Sequence, residues 1–201
     1  NCKDIVSSTA SQVCAIKINF HLLLSLSNIQ ILELNFLAHK LNLQIIADIK
    51  LNDIGNTNIV TVNRLQKLGF DAVIVNPFIG KINLQSTVDY AHSLNFGVIS
   101  LVYMSHAGAI EGYGGSLSIQ NGHGKWKNSK PVYRIFYENS KSVGVDGVVI
   151  GGNRLDILKE LTSEGNGSIP IYSPGIITQG GDISKALQAG STYLIIGRAI
   201  I

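Results

Sequence analysis

Short apolar runs rich in β-branched residues recur along the chain, and between them apolar residues return every three to four positions. The first pattern is that of buried strands, the second that of amphipathic helices. Strands are expected at 13–18 (VCAIKI), 45–49 (IIADI), 72–75 (AVIV), 97–101 (GVISL), 147–150 (GVVI), 169–172 (IPIY) and 193–196 (YLII). Helices are expected at 28–41, 57–68, 84–94, 132–143, 155–161 and 183–188. In the clearest of these, Ile29, Leu32, Phe36, Leu37 and Leu41 form one apolar stripe, the face that such a helix buries. Gly69 and Gly190 follow two of the helices, where a helix end favours a residue tolerant of positive φ.

Alternating strands and helices argue for a parallel sheet covered by helices. Seven strands would suit an open doubly-wound sheet, whereas a (β/α)8 barrel needs eight. Residues 1–12 (NCKDIVSSTASQ) read as the end of a helix with no strand before it, and the chain stops at Ile201, straight after its last strand. The expectation is a single α/β domain over 1–201, a TIM (β/α)8 barrel without its first strand and last helix; the doubly-wound sheet is the alternative. The longest irregular stretch, 107–130, follows a strand directly. In a barrel it would overlie the catalytic face, as a lid or an insertion.

Composition narrows the function classes. With 201 residues, 45% of them hydrophobic, the chain can bury a sizeable core. A net charge of +3 with scattered Lys and Arg argues against a nucleic-acid partner and suits a bound anion equally well. Two cysteines, Cys2 and Cys14, cannot staple a chain of this size, so a reduced, cytoplasmic setting is expected. No apolar run approaches the ~18 residues of a membrane span. The five histidines are scattered without metal-ligand spacing, and His106 reads as structural.

Against only 14% charged residues, the stretch ADIKLNDIGNTN (47–58) places three charges of alternating sign at the end of an apolar run. Strand residues two apart share a face, about 6.5 Å from one another. Asp48 and Lys50 would therefore lie together, with Ile49 opposite; Asp53 follows in the loop and Thr57 opens the next helix. A solvated surface pair would explain Asp48 and Lys50 alone. Lys17 repeats the anomaly on the preceding strand, which favours an alternating network of two lysines and two carboxylates, each offsetting its neighbours' desolvation. Such a network holds Lys50 protonated as a general acid and sets Asp48 against any anion bound beside it. A substrate carboxylate there would leave as carbon dioxide while Lys50 stabilises and protonates the carbanion, preorganised charge carrying the main burden.

Near the C-terminus, SPGIITQGGD leads into a short helix, and Gly197-Arg198 follows the last strand. A barrel's phosphate site uses loops after strands seven and eight with a helix N-terminus, and Arg198 can add a bidentate contact. Gly180-Gly181 alone could be only a turn; paired with Gly197-Arg198 it favours phosphate.

Together these motifs resemble the orotidine 5′-phosphate decarboxylase family. The likeness rests on DIKLND (Asp48 to Asp53) continuing through Ile54 to Thr57, on YMSHAGA with Ser105, on SPGIITQGGD and on IIGRAI, in order from AIKIN to the C-terminus. It implies decarboxylation of orotidine 5′-monophosphate to uridine 5′-monophosphate in de novo pyrimidine biosynthesis, with no metal and no organic cofactor. By the resemblance, Lys50 donates the proton to pyrimidine C6, Asp48 faces the departing carboxylate, and Lys17 joins the network and the ribose hydroxyls. Asp53, Ile54 and Thr57 reach the neighbouring site of a homodimer. Ser105 bonds the pyrimidine amide edge, while Gln179, Gly197 and Arg198 hold the phosphate, and Pro174, Gly175 and Gly180 belong to the same binding loop. The family's ribose-contacting Asp at the end of its first strand has no counterpart here. Two alternatives stay open. The Mg²⁺-dependent 3-keto-gulonate phosphate decarboxylase and hexulose-phosphate synthase share the Asp-x-Lys-x-x-Asp signature but differ where QGGD stands. A non-catalytic phosphate-ligand binder would need only Arg198 and its loop.

Overall fold

The computed structural model describes residues 2–118, 129–163 and 169–200. The chain forms two compact units, Asn1–Ile99 and Ser100–Ile201, with the boundary inside a strand.

The first unit runs α1 (Cys2–Thr9), β1 (Ala15–Asn19), α2 (Phe20–Leu23), α3 (Asn28–Lys40), β2 (Gln44–Leu51), α4 (Gly55–Lys67), β3 (Ala72–Val75), a 3-10 turn (Pro77–Ile79), α5 (Lys81–Ser93) and the start of β4 (Gly97–Tyr103). β1, β2 and β3 pair in parallel, with Lys17 opposite Ile46 and Asn19 opposite Asp48. Ile45, Ile46, Ala47, Val73, Ile74 and Val75 are buried, as near-continuous apolar strands in a helix-covered parallel sheet should be. α3 begins with a capping box: the Ser27 hydroxyl accepts from the Gln30 amide, and the Gln30 side chain accepts from the Ser27 amide.

The face that α3 buries is not the expected one. Ile29 (69% exposed), Leu32 and Phe36 (62%) face outward, while Ile31, Leu34, Asn35 and Ala38 are buried. Apolar residues occupy nearly every face of NIQILELNFLAHK, so their spacing does not choose one. Asn35 does: its amide donates to the Leu68 carbonyl at 2.8 Å, satisfying an orphan acceptor at the end of α4.

The second unit continues from the end of β4 through α6 (Ala109–Gly112), β5 (Ser116–Leu117), β6 (Lys130–Pro131), α7 (Val132–Val143), β7 (Gly147–Ile150), α8 (Leu155–Thr162), β8 (Ile171–Ser173), α9 (Ile183–Gln188) and β9 (Tyr193–Leu194). β7, β8 and β9 are parallel, with Val149 opposite Tyr172 and Ser173 opposite Leu194. α7 buries Ile135, Phe136 and Val143 and ends at Gly144 in the left-handed region. The stretch expected to be irregular has ordered ends: α6, then β5 and β6 paired antiparallel with Leu117 opposite Lys130. Residues 119–128 of it lie outside the described residues. Each of the seven expected strands is present, with ends displaced by up to two residues. Among the described residues no helix is long and apolar enough to cross a membrane.

Candidate active site

Along β2 the strand does not keep its alternation. The pairing with β3 shifts register between Ala47 and Leu51, and within that irregularity Lys50 has φ +47°. A bulge re-aims a side chain, and a non-glycine residue in the left-handed region costs roughly 1–2 kcal/mol. Among the described residues, four non-glycine residues have positive φ. Asn42 and Asn95 follow the ends of α3 and α5, where asparagine is at home. Lys50 and Ile177 have no such explanation, and both lie in the segments singled out by sequence. Such strain persists where its surroundings over-determine it, commonly at functional sites.

The bulge delivers the Lys50 ammonium to Asp48, donating to Oδ1 at 2.7 Å, while Lys17 donates to Oδ2 at 2.5 Å. Asp48 is 7% exposed, so both carboxylate oxygens are held away from bulk water by charge-assisted bonds. Burial pushes its pKa up; Lys17 and then Lys50 more than offset this, and the group ends below its ordinary value of 3.8. The array is a buried anion between two cations, with one positive charge in excess.

Asp53 does not join it. Its carboxylate is exposed and accepts from the Ile54 amide at 2.8 Å, and among the described residues no lysine or arginine pairs with it. The expected four-membered network therefore has three members within one chain, because Asp53 lies past the strand in a loop that turns outward. Ile54 (65% exposed) and Thr57 also face solvent, and α4 opens at Gly55, two residues before Thr57. Asn58, which sequence reading passed over, anchors this loop. It is fully buried and donates to the Asp53 carbonyl at 2.5 Å and to the Thr87 hydroxyl at 3.4 Å. Its signal was a polar residue on the apolar face shared with Val62 and Leu65.

In the second unit, the loop from Pro174 to Gly181 folds back on itself. The Gly181 amide donates to Gly175 O at 3.0 Å, the Ile177 amide to Gly181 O at 2.8 Å and the Gly180 amide to Ile177 O at 3.3 Å. This closure places Gln179 beside Gly175 and Ser105. A Cβ on Gly175 would lie 2.6 Å from Ser105 Cβ and 2.9 Å from Gln179 Oε1, at φ +83°, so only glycine fits. Ser105, Gly175 and Gln179 thus lie together.

The helix that follows contributes less to anion binding than its position suggested. Asp182 caps α9 with its own carboxylate, which accepts from the Lys185 amide at 2.8 Å and puts negative charge at the helix start. The donors left free are side chains: those of Gln179 and Arg198 are exposed and make no hydrogen bond among the described residues. Gly197 is likewise exposed, with open space where a Cβ would stand. Two neighbouring residues were not singled out by sequence. Asn153 donates to Ser105 O at 2.9 Å and to Gln179 O at 3.3 Å. Arg154 donates to the Tyr103 hydroxyl at 2.6 Å and stacks 4.6 Å over that ring. Among the described residues, no three His, Cys, Asp or Glu side chains gather as a metal site.

Known proteins resemble this chain along nearly its whole length. The family model described as orotidine 5′-phosphate decarboxylase / HUMPS matches residues 1–201. The orotidine 5′-phosphate decarboxylase of Pyrococcus abyssi is 31% identical over 196 residues, covering 98% of this chain and 83% of that protein. The one from Thermoplasma volcanium is 33% identical, over 98% of this chain and 78% of that protein. Among solved structures, orotidine 5′-monophosphate decarboxylase from Methanocaldococcus jannaschii, complexed with the inhibitor BMP, matches with a TM-score of 0.81 at 31% identity, over 98% of this chain and 83% of that one. The α/β, (β/α)8-barrel fold class expected from the sequence is the one this likeness supports. The chain therefore belongs to the orotidine 5′-phosphate decarboxylase / HUMPS family.

Proposed function

We propose that the chain is a carboxy-lyase converting orotidine 5′-monophosphate to uridine 5′-monophosphate and carbon dioxide, acting as a cytoplasmic homodimer in pyrimidine biosynthesis. The observation that carries this reading is the Lys17–Asp48–Lys50 array, with Lys50 held at a strained backbone position against a buried carboxylate.

In the proposed reaction the C6–carboxylate bond breaks, carbon dioxide departs, and the electron pair stays at C6. The Lys50 ammonium stabilises that developing carbanion and gives it a proton; water then reprotonates the amine. Asp48 stays ionised, fixes the ammonium and disfavours the substrate carboxylate beside it, so departure relieves repulsion. Preorganised charge of this kind is commonly the largest catalytic contribution, since nothing must reorient as the charge forms. Lys17 shares the Asp48 charge and is assigned to the ribose hydroxyls. Ser105 is assigned to the pyrimidine amide edge. Gln179, Gly197 and Arg198 take the phosphate, in the loop shaped by Pro174, Gly175 and Gly180. Asp53, Ile54 and Thr57 are assigned to the partner's site, in keeping with their exposure.

The test is ultraviolet absorbance of orotidine 5′-monophosphate with the protein in chelator, and product analysis of sugar phosphates incubated with the protein and Mg²⁺. Formation of uridine 5′-monophosphate without metal supports the reading. Turnover only of sugar phosphates with Mg²⁺ would assign the chain to the other branch of its family, and turnover of neither would leave a binder.

A further inference from the structure

Asn153 occupies an unusual position for a loop residue. Both acceptors of its Nδ2 are main-chain carbonyls, those of Ser105 and Gln179. The orientation of the amide is therefore fixed, because only the nitrogen can donate. Ser105 and Gln179 lie on different connections, one after β4 and the other after β8. Asn153, just after β7, is a single side chain that ties the two together. Space beside it is tight: a Cβ on Gly151, two residues earlier, would stand 2.9 Å from Asn153 Oδ1 and 2.9 Å from Ser105 Cα. Asn153 Oδ1 itself is buried and unpartnered among the described residues.

We propose that Asn153 is a positioning residue that couples base recognition to phosphate recognition, by locking the Ser105 and Gln179 main chains at one spacing. The inference rests on the decarboxylase reading, in which Ser105 takes the pyrimidine edge and Gln179 the phosphate. In this assignment Asn153 acts through Ser105 and Gln179, the residues that meet the nucleotide. Without Asn153, the closure of 174–181 and the main-chain bonds from Gly151 N to Tyr103 O (2.9 Å) and from Gly152 N to Pro174 O (2.8 Å) remain, but no side chain bridges the Ser105 and Gln179 carbonyls, and their spacing relaxes.

The test begins with orotidine 5′-monophosphate turnover by the unaltered protein, whose absence would overturn the decarboxylase reading before Asn153 is in question. Asn153→Asp keeps the size and replaces the donor with an acceptor; Asn153→Ala removes both. Asn153→Ala should lower kcat/KM by about thirtyfold, the worth of two ordinary hydrogen bonds, mostly through a raised KM, and Asn153→Asp, which sets a carboxylate against two carbonyl oxygens, by at least as much. The distinguishing readout is a double-mutant cycle of Ser105→Ala and Gln179→Ala. Their effects on kcat/KM should be non-additive with Asn153 present and should add in the Asn153→Asp background. A kcat/KM within threefold of the unaltered enzyme, or a coupling that survives removal of Asn153, overturns the proposal.

Discussion

A lysine proposed to deliver a proton to carbon needs more than its own flexible stem to hold it. In this chain Asp48 supplies the hold, and the bulge at Lys50 aims it. That Asp48 and Lys50 meet was legible in the sequence, because residues two apart on a strand share a face. The means were not legible: nothing in DIKLND announces φ +47° at a lysine, which follows from pairing with the neighbouring strand. Asp53 marks the limit of the same argument. Counting charges along the segment gathered four groups, but counting cannot tell a strand residue from one already in an outward-turning loop. At this scale Asp48→Asn should lower kcat at least a hundredfold, measured as steady-state decarboxylation, because it removes the charge that fixes both lysines. The pH dependence has a definite sign. The folded-state pKa of Asp48 is lowered, so its contribution to stability is whole above the ordinary value of 3.8 and is lost as pH falls through the folded value. Urea unfolding of the unaltered protein and of Asp48→Asn should therefore differ by a constant amount near neutrality and converge only below about pH 4.

Among elements, strands were the most legible and helix faces the least. AVIV and GVVI became strands at the expected residues, because contiguous β-branched runs of that length suit little else in an α/β fold. In α3 the apolar stripe marked the wrong side, and the buried Asn35 would have been the better guide. The 174–181 loop was legible by composition, but its internal closure was not. Two outcomes test it. Gly175→Ala should force Ser105 aside and lower kcat/KM more than tenfold with a raised KM, since its Cβ would stand 2.6 Å from Ser105 Cβ. Ile177→Gly should stabilise the protein, or change its unfolding free energy by less than about 1 kcal/mol. Relief of the left-handed strain at φ +67° opposes the added chain entropy, and a half-exposed side chain loses little burial.

For the whole molecule, the proposed dimer is the decisive matter. Ile54, Val60 and Ile82 are each well exposed in the first unit, and exposed apolar surface at such residues is what an interface covers. Subunit mixing tests the assignment of Asp53 to the partner's site. Lys50→Ala and Asp53→Ala homodimers should each be inactive, and random reassortment should restore about a quarter of full activity, since half the dimers are hybrids with one complete site. If Asp53 served its own chain, mixing would restore nothing.

The central claim, that Lys50 is the acid of a carbanion-forming decarboxylation, is tested most directly by measuring nucleotide affinity and turnover together in Lys50→Ala. The account predicts that uridine 5′-monophosphate binding stays within about tenfold of the unaltered protein while orotidine 5′-monophosphate turnover falls by at least a thousandfold. Turnover within tenfold of the unaltered enzyme in a folded Lys50→Ala protein would contradict it.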